Sequence, residues 1–437
     1  MSTPLTHCMI APFLRLGAVV LAAAACLTTP AAGGTSLETR AAAPAPTAIR
    51  ELEAPAFPGI RVRRIVFTSS TVTTPAGTVP TEVYAYLALP EGKGPFPAIV
   101  VIHGGKGKAE EEKARAWAQR GYAAIAPELP DIADSATASP DSAGAWKAAP
   151  YGKGSRWNLL PDVTQSGVYE AVTAGLNAFK ILQSQPEVDR SRIGIVGISW
   201  GGYTTTILTG LLGDQVAASF SVFGCGHYEK TTFAGALKSL PADLRTTWMR
   251  ELDAATYAPR ITAPYFITAP CNDTFFFPPA VMATLADIRS PKQWVFIPNA
   301  DHKTAFPGGV QNDGKANWAA MEGDYFDYYL KHQGKPLPAV SVAHPAPDAG
   351  NTVRFQVSSA TPLQKVSVYT TATEGPWKQK LWTESPATAL GAGAYEAVLP
   401  GDVVKRGFWF AMATDERPVS VSSLIYACGD ADVTAAP

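Results

Sequence analysis

Two hydrophobic rhythms divide the chain. Up to about residue 334, short uninterrupted apolar runs alternate with stretches whose apolar residues recur every three or four positions. Beyond it, apolar residues recur at every second position. The runs 98–102, 122–127, 193–196, 216–223, 264–268 and 293–297 predict strands buried on both faces, the condition of a sheet covered by helices on both sides. Residues 60–67 alternate and predict an edge strand, and 83–88 predict a second strand. Helices are predicted over 108–119, over 162–182 (Val163, Val168, Val172, Leu176, Phe179, Leu182), from Tyr203 onward, over 279–288 and over 318–330. Residues 227–259 read as a small helical excursion. Strand–helix alternation of this kind specifies an α/β fold with a doubly wound, mostly parallel sheet. In the last hundred residues Val353, Phe355 and Val357 alternate with polar neighbours. Tyr395-Ala397-Leu399, Phe408-Phe410-Met412 and Val419-Val421 repeat the pattern. Short alternating strands so spaced predict a small C-terminal β-sandwich.

Composition narrows the picture. With 437 residues, 46% of them hydrophobic, the chain can fill about two cores. A net charge of −1 without a Lys/Arg run gives no footprint for phosphates, which argues against a nucleic-acid partner. The expected organisation is an export signal over 1–33, a disordered Ala/Pro/Thr-rich spacer over 34–56, a catalytic domain over 57–334 and the β-sandwich over 338–430. The signal rests on the alanine-rich apolar run 16–27, too short to span a bilayer, with small residues for cleavage near Ala25 or Ala31. Ala23-Ala24-Ala25-Cys26 resembles a bacterial lipobox with Ala in place of its usual Leu. Cys26 is therefore a candidate lipid anchor, with an ordinary signal-peptide residue as the alternative. Five cysteines make no disulfide scaffold. Cys225 and Cys271, each just past a predicted strand, are placed either to pair across neighbouring strands or to stay as buried thiols.

Candidate chemistry centres on Gly197-Ile198-Ser199-Trp200-Gly201-Gly202, between the run 192–196 and the helix that opens near Tyr203. A serine between glycines at a strand-to-helix turn has its hydroxyl lifted clear of the sheet, because the turn is too crowded for a Cβ on either flank. A hydroxyl needs a base, and the base an orienting acid. Among six histidines, His302 follows the last predicted strand, in Pro298-Asn299-Ala300-Asp301-His302. His227 reads as structural or substrate-lining. Asp273 follows the preceding strand, whereas Asp301 adjoins His302 and is badly placed to orient it. The expected catalytic order is Ser199, Asp273, His302. Two N–H groups should hold the oxyanion: that of Trp200, which opens a helix, and that of Gly105 in His103-Gly104-Gly105, with Lys106 as the alternative. Trp157, Tyr203 and Phe276 are expected to line the substrate, as are neighbouring aromatics; core packing is the alternative for each. No metal or cofactor is called for: H-E-x-x-H, paired C-x-x-C and G-x-G-x-x-G are absent, and 309–315 matches a phosphate loop only in part.

Residues 60–335 resemble the dienelactone-hydrolase and acetyl-xylan-esterase group of α/β-hydrolases. The pieces that carry the resemblance are Val101-Ile102-His103-Gly104-Gly105, Gly121-Tyr122 through Pro127, Val188-Asp189-Arg190-Ser191-Arg192-Ile193-Gly194, the Ser199 turn, Asn272-Asp273 with Phe276-Phe277-Pro278, and the residues ending at His302. The last of these, followed by a β-domain, is also similar to PhoPQ-activated pathogenicity-related proteins. The resemblance implies a carboxylic-ester hydrolase, with the three residues above in its triad positions. Dienelactone hydrolases proper use a cysteine nucleophile, and Ser199 moves the expectation toward esters. The expected activity is an exported serine esterase on a small-molecule or carbohydrate ester. A prolyl-oligopeptidase-like serine peptidase and a non-catalytic binding protein, with the β-domain as its working part, are the alternatives.

Overall fold

The structure, a computed structural model, describes residues 34–75, 77–148, 155–304, 306, 321–417 and 419–433. The segment read as an export signal, including Cys26, lies outside the described residues, as does the stretch 309–315. Among the described residues, no helix is long and apolar enough to cross a membrane.

In chain order the first layer comprises α1 (Ser36–Ala42), β1 (Ile49–Leu52), β2 (Ile60–Thr74), β3 (Gly77–Pro90), β4 (Phe96–Ile102), α2 (Glu111–Gln119), β5 (Ala123–Pro127), α3 (Gly167–Gln183), β6 (Val188–Ile198), α4 (Trp200–Leu212) and β7 (Ala218–Val222). It continues with α5 (Ala234–Ser239), α6 (Ala242–Leu252), β8 (Tyr265–Pro270), α7 (Pro278–Asp287), β9 (Lys292–Ile297) and α8 (Gly323–Lys331). The sheet runs β1-β2-β3-β5-β4-β6-β7-β8-β9. Its first four strands pair antiparallel and the remaining pairs are parallel. This is the α/β-hydrolase architecture, and it orders the chemistry. All parallel strands point the same way, so the loops after β4, β6, β8 and β9 open on one edge. Those loops carry His103-Gly104-Gly105, Ser199, Asp273 and His302.

The spacer expected over 34–56 is instead ordered from Thr35. The Thr35 side chain caps α1, and Leu37 is fully buried. The Ser36 N–H donates to Glu251 (2.8 Å), and Lys180 Nζ donates to the Arg40 carbonyl (3.0 Å). β1 then pairs with β2. The predicted edge strand is therefore an interior one, covered by a strand that Ala/Pro-rich composition hides. Helix α3 begins at Gly167 rather than near 162 because Ser166 caps it, and Asp162 caps a separate 3-10 turn.

The C-terminal layer is a β-sandwich. One sheet joins β10 (Ala339–Ser341), β11 (Thr352–Ser358), β14 (Thr388–Gly391) and β15 (Ala394–Val398). The other joins β12 (Leu363–Thr371), β13 (Thr383–Pro386), β16 (Gly407–Asp415), β17 (Ser420–Ser422) and β18 (Tyr426–Gly429), with α9 (Gly401–Arg406) leading into β16. Period two assigns the faces of β16. Trp409, Ala411 and Ala413 fill the sandwich beside Val353, Phe355 and Val357. Phe408, Phe410 and Met412 point the other way, into the same core as Phe296 and Ile297 of the first layer. The second sheet is thus buried on both faces. It also covers the outer edge of β9, where the Phe296 N–H donates to Ser422 Oγ (2.9 Å). An open strand edge would otherwise present unpaired donors to any other chain.

Candidate active site

The turn at Ser199 has the conformation its glycines suggested. Ser199 sits at φ 58°, ψ −120°, a region that side-chain-bearing residues rarely occupy. Two bonds hold it there: its N–H to the Val222 carbonyl (2.8 Å), and its carbonyl to the Tyr203 N–H (3.0 Å). A Cβ on Gly197 would lie 2.3 Å from the Gly201 carbonyl oxygen, so this tight a turn admits nothing larger.

Ser199 Oγ lies 2.8 Å from His302 Nε2. On the far side of the ring, Nδ1 is 2.8 and 3.0 Å from the two oxygens of Asp273. Asp273 is fully buried, and its Oδ1 also accepts the N–H groups of Phe275 (2.6 Å) and Phe276 (2.9 Å). A carboxylate so surrounded is fixed in orientation, and it fixes the imidazole tautomer: Nδ1 carries the proton and Nε2 is free to accept one. The rings of Phe223, Phe275 and Phe276 surround the imidazole at 4.5, 4.7 and 5.8 Å. Phe223, at φ 40°, is a second strained residue beside the site.

The loop after β4 is braced from below. Leu129 N–H donates to His103 Nε2 (2.8 Å), so the proton lies on Nδ1, which donates to the Gly104 carbonyl (2.7 Å). Burial lowers the pKa of His103, in keeping with this neutral state. A Cβ on Gly104 would stand 3.2 Å from Ser199 Cβ, so this loop reaches the serine only as bare backbone. The Lys106 N–H donates to the Ile132 carbonyl (2.9 Å), which removes Lys106 as the alternative donor. Among the described residues, the N–H groups of Gly105 and Trp200 donate to no protein acceptor.

The aromatics divide. Tyr203, expected in the pocket wall, is buried: its ring packs on Tyr228 (4.8 Å) and its hydroxyl donates to the Leu252 carbonyl. Phe276 is buried against His302 and supports the imidazole. Phe275, 42% exposed, faces outward, and through Phe233 it continues to Trp200 (5.1 Å) and the half-buried Trp157 (6.4 Å). Arg156, which sequence reasoning missed, is buried with its guanidinium 4.8 Å over the Trp200 ring; its Nη2 donates to the Asp131 carbonyl (2.8 Å). Nothing in its Gly/Ser-rich loop marks it locally. His227 is not brought to Ser199. Its ring bonds Asp287 (2.7 Å) and Glu229 (3.3 Å); burial opposes its charge, but these two partners prevail and raise its pKa. Asp301 is exposed and caps the turn at Lys303. Cys225 and Cys271 are free, buried thiols, not a disulfide.

The dienelactone hydrolase family model matches residues 83–307, from β3 through the His302 loop. The chain belongs to the dienelactone hydrolase family. Among curated proteins this family member is similar to acetyl esterase Axe7A of Xylanibacter ruminicola, at 24% identity over 237 residues; the match covers 51% of this chain and 53% of that protein. The chain thus spans about half the length of this relative. Solved structures with a related course include acetyl xylan esterase 1 from Thermoanaerobacterium sp. JW/SL YS485 (18% identity, 59% of this chain and 83% of that one, TM-score 0.42) and an acetyl xylan esterase from Paenibacillus sp. R4 (17%, 64% and 88%, 0.44). The acylaminoacyl peptidase of Pyrococcus horikoshii scores equally (17%, 63% and 49%, 0.44). Scores this low leave activity to be argued from the residues.

Proposed function

We propose that this protein is an exported serine carboxylic-ester hydrolase acting on small acyl esters, acetylated carbohydrate among them. The observation that carries the reading is the unbroken hydrogen-bonded line from Ser199 Oγ through His302 to the buried Asp273. Ser199 attacks the ester carbonyl while His302 Nε2 takes its proton. Asp273 stabilises the imidazolium that forms. The oxyanion is held by the N–H groups of Gly105 and Trp200, which meet no acceptor among the described residues, and the first of these costs no reorganisation because His103 and Ile132 already brace its loop. The imidazolium returns the proton to the leaving alcohol, and water then releases the acyl group from Ser199 by the same path. Axe7A, an acetyl esterase, lends the acyl preference. Phe275, Phe233 and Trp157 offer an apolar wall for the substrate. Export rests on the alanine-rich run 16–27.

The test is labelling with a fluorophosphonate, followed by turnover of p-nitrophenyl esters, acetylated xylan and peptide amides. An adduct on Ser199, ester turnover, and a loss of roughly 10⁴-fold or more in kcat for Ser199→Ala and His302→Ala are expected. Absence of any adduct on the folded protein would sink the enzyme reading. Amide turnover without ester turnover would favour a peptidase. Fractionation of expressing cells, with the mass of the mature N-terminus, tests export.

A further inference from the structure

The loops that carry Asp273 and His302 are gripped from outside the first layer. Asn272, immediately before Asp273, donates from Nδ2 to the carbonyls of Trp377 (3.2 Å) and Lys380 (2.6 Å). Asn299, three residues before His302, donates to the Trp382 carbonyl (2.8 Å) and accepts the Trp382 N–H on Oδ1 (2.8 Å). All four partners are backbone groups of one segment, 377–382, in the C-terminal sandwich. That segment is itself anchored. Trp377 and Trp382 are buried, their rings packed on Phe408 (5.1 Å) and Phe410 (5.0 Å) of β16. Lys380 Nζ donates to the Thr373 carbonyl (2.9 Å) and lies over the Phe408 ring. The two gripped loops also bond to each other, Asn272 N–H to the Ala300 carbonyl (2.9 Å).

We propose that the segment 377–382 of the β-domain is a positioning element of the active site, which holds the acid and the base in register through Asn272 and Asn299. The physical argument is one of reach. Loops are in general more mobile than the strands they follow, yet proton transfer requires His302 to stay within hydrogen-bond distance of both Ser199 and Asp273. Asn299 has a left-handed backbone (φ 52°), and its side chain bonds Trp382 as a neighbouring strand would. The His302 loop is thereby tied to a packed sheet rather than left to solvent. Nothing in this makes 377–382 touch substrate; it acts through Asp273 and His302.

The inference rests on the esterase reading, so the experiment begins with the full chain on p-nitrophenyl acetate. If wild type turns over no ester, or Ser199→Ala is as active as wild type, that reading has failed, not this one. Given turnover, Asn272→Ala and Asn299→Gly are measured beside Ser422→Ala, which removes a contact between the two layers made on strand β9 rather than on either loop. Glycine is the choice at 299 because it keeps the backbone conformation and deletes only the side-chain bonds. The two asparagine variants should lose about tenfold or more in kcat with KM within about twofold of wild type, the mark of misplaced catalytic groups. Ser422→Ala should lower Tm and leave kcat within about twofold. Should Asn272→Ala fail to fold, Asn272→Ser is read in its place. Folded asparagine variants with wild-type kcat, or a kcat loss equal to that of Ser422→Ala, would overturn the proposal.

Discussion

Gly201→Ala sets two effects against each other. Gly201 lies in the first turn of α4, and in an exposed helix the change to Ala would stabilise by about 1 kcal/mol. Here the added Cβ would stand 2.2 Å from the Ile102 carbonyl oxygen and 2.6 Å from that of His103. Both are backbone atoms at the end of β4, a central strand, and neither can swing aside as a side chain could. Ordinary contact begins at 3.4 Å. The helix start and the His103-Gly104-Gly105 loop must therefore separate by about 1 Å, and overpacking of this kind costs about 1–3 kcal/mol. The packing cost exceeds the propensity gain, so Tm should fall by a few degrees at about 2–4 °C per kcal/mol. The larger effect falls on turnover. The same 1 Å moves the Gly105 N–H away from Ser199, and on the esterase reading a misplacement of that size costs about 10²-fold in kcat. Scanning calorimetry and p-nitrophenyl acetate kinetics check both halves. A Gly201→Ala protein with raised Tm, or with wild-type kcat, would refute the reasoning.

Other consequences are as direct. Burial raises the Glu170 carboxyl to about 7, with hydrogen bonds from Thr81 and Ser70 offsetting part of the effect. Between its unfolded value of 4.5 and 7 the folded state keeps a proton the unfolded state has lost, so stability falls as pH rises through that window. Glu170→Gln should remove this slope and stabilise at pH 8 by about 1–3 kcal/mol; a pH 5 to pH 8 difference in Tm as large as wild type's would count against it. Phe410→Ala should cost about 3–5 kcal/mol and lower one cooperative transition, because that ring lies in a core shared by both layers; two separate calorimetric transitions would contradict the shared core. Cys225 and Cys271 should resist alkylation in the native protein and alkylate after denaturation without reductant. A mass gain of two hydrogens on reduction would show the disulfide instead.

Much of the candidate site was legible because its signals are local. A glycine-flanked serine at a strand-to-helix turn, an aspartate two strands later and a histidine after the last strand each occupy a few contiguous residues. A parallel sheet brings strand ends to one edge whatever its side chains do. The strand β1 was hidden because pairing with β2 stabilises it, not its own propensity. Tyr203 was misplaced because helical periodicity places it on α4 but does not say which neighbour covers it; Tyr228 and Leu252 do.

The sequence by itself determined the layers, the order of Ser199, Asp273 and His302, and the inward alternation of Val353, Phe355 and Val357. Tertiary structure alone decided what the β-domain packs against. The run from Gly407 to Ala413 is apolar throughout, which is consistent with burial on both faces but names neither partner. That Phe408 and Phe410 face the first layer, that Arg156 comes to lie over Trp200, and that Asn299 meets Trp382 across 83 residues are long-range facts. Periodicity records which side of an element is apolar; only the folded chain settles which apolar sides meet.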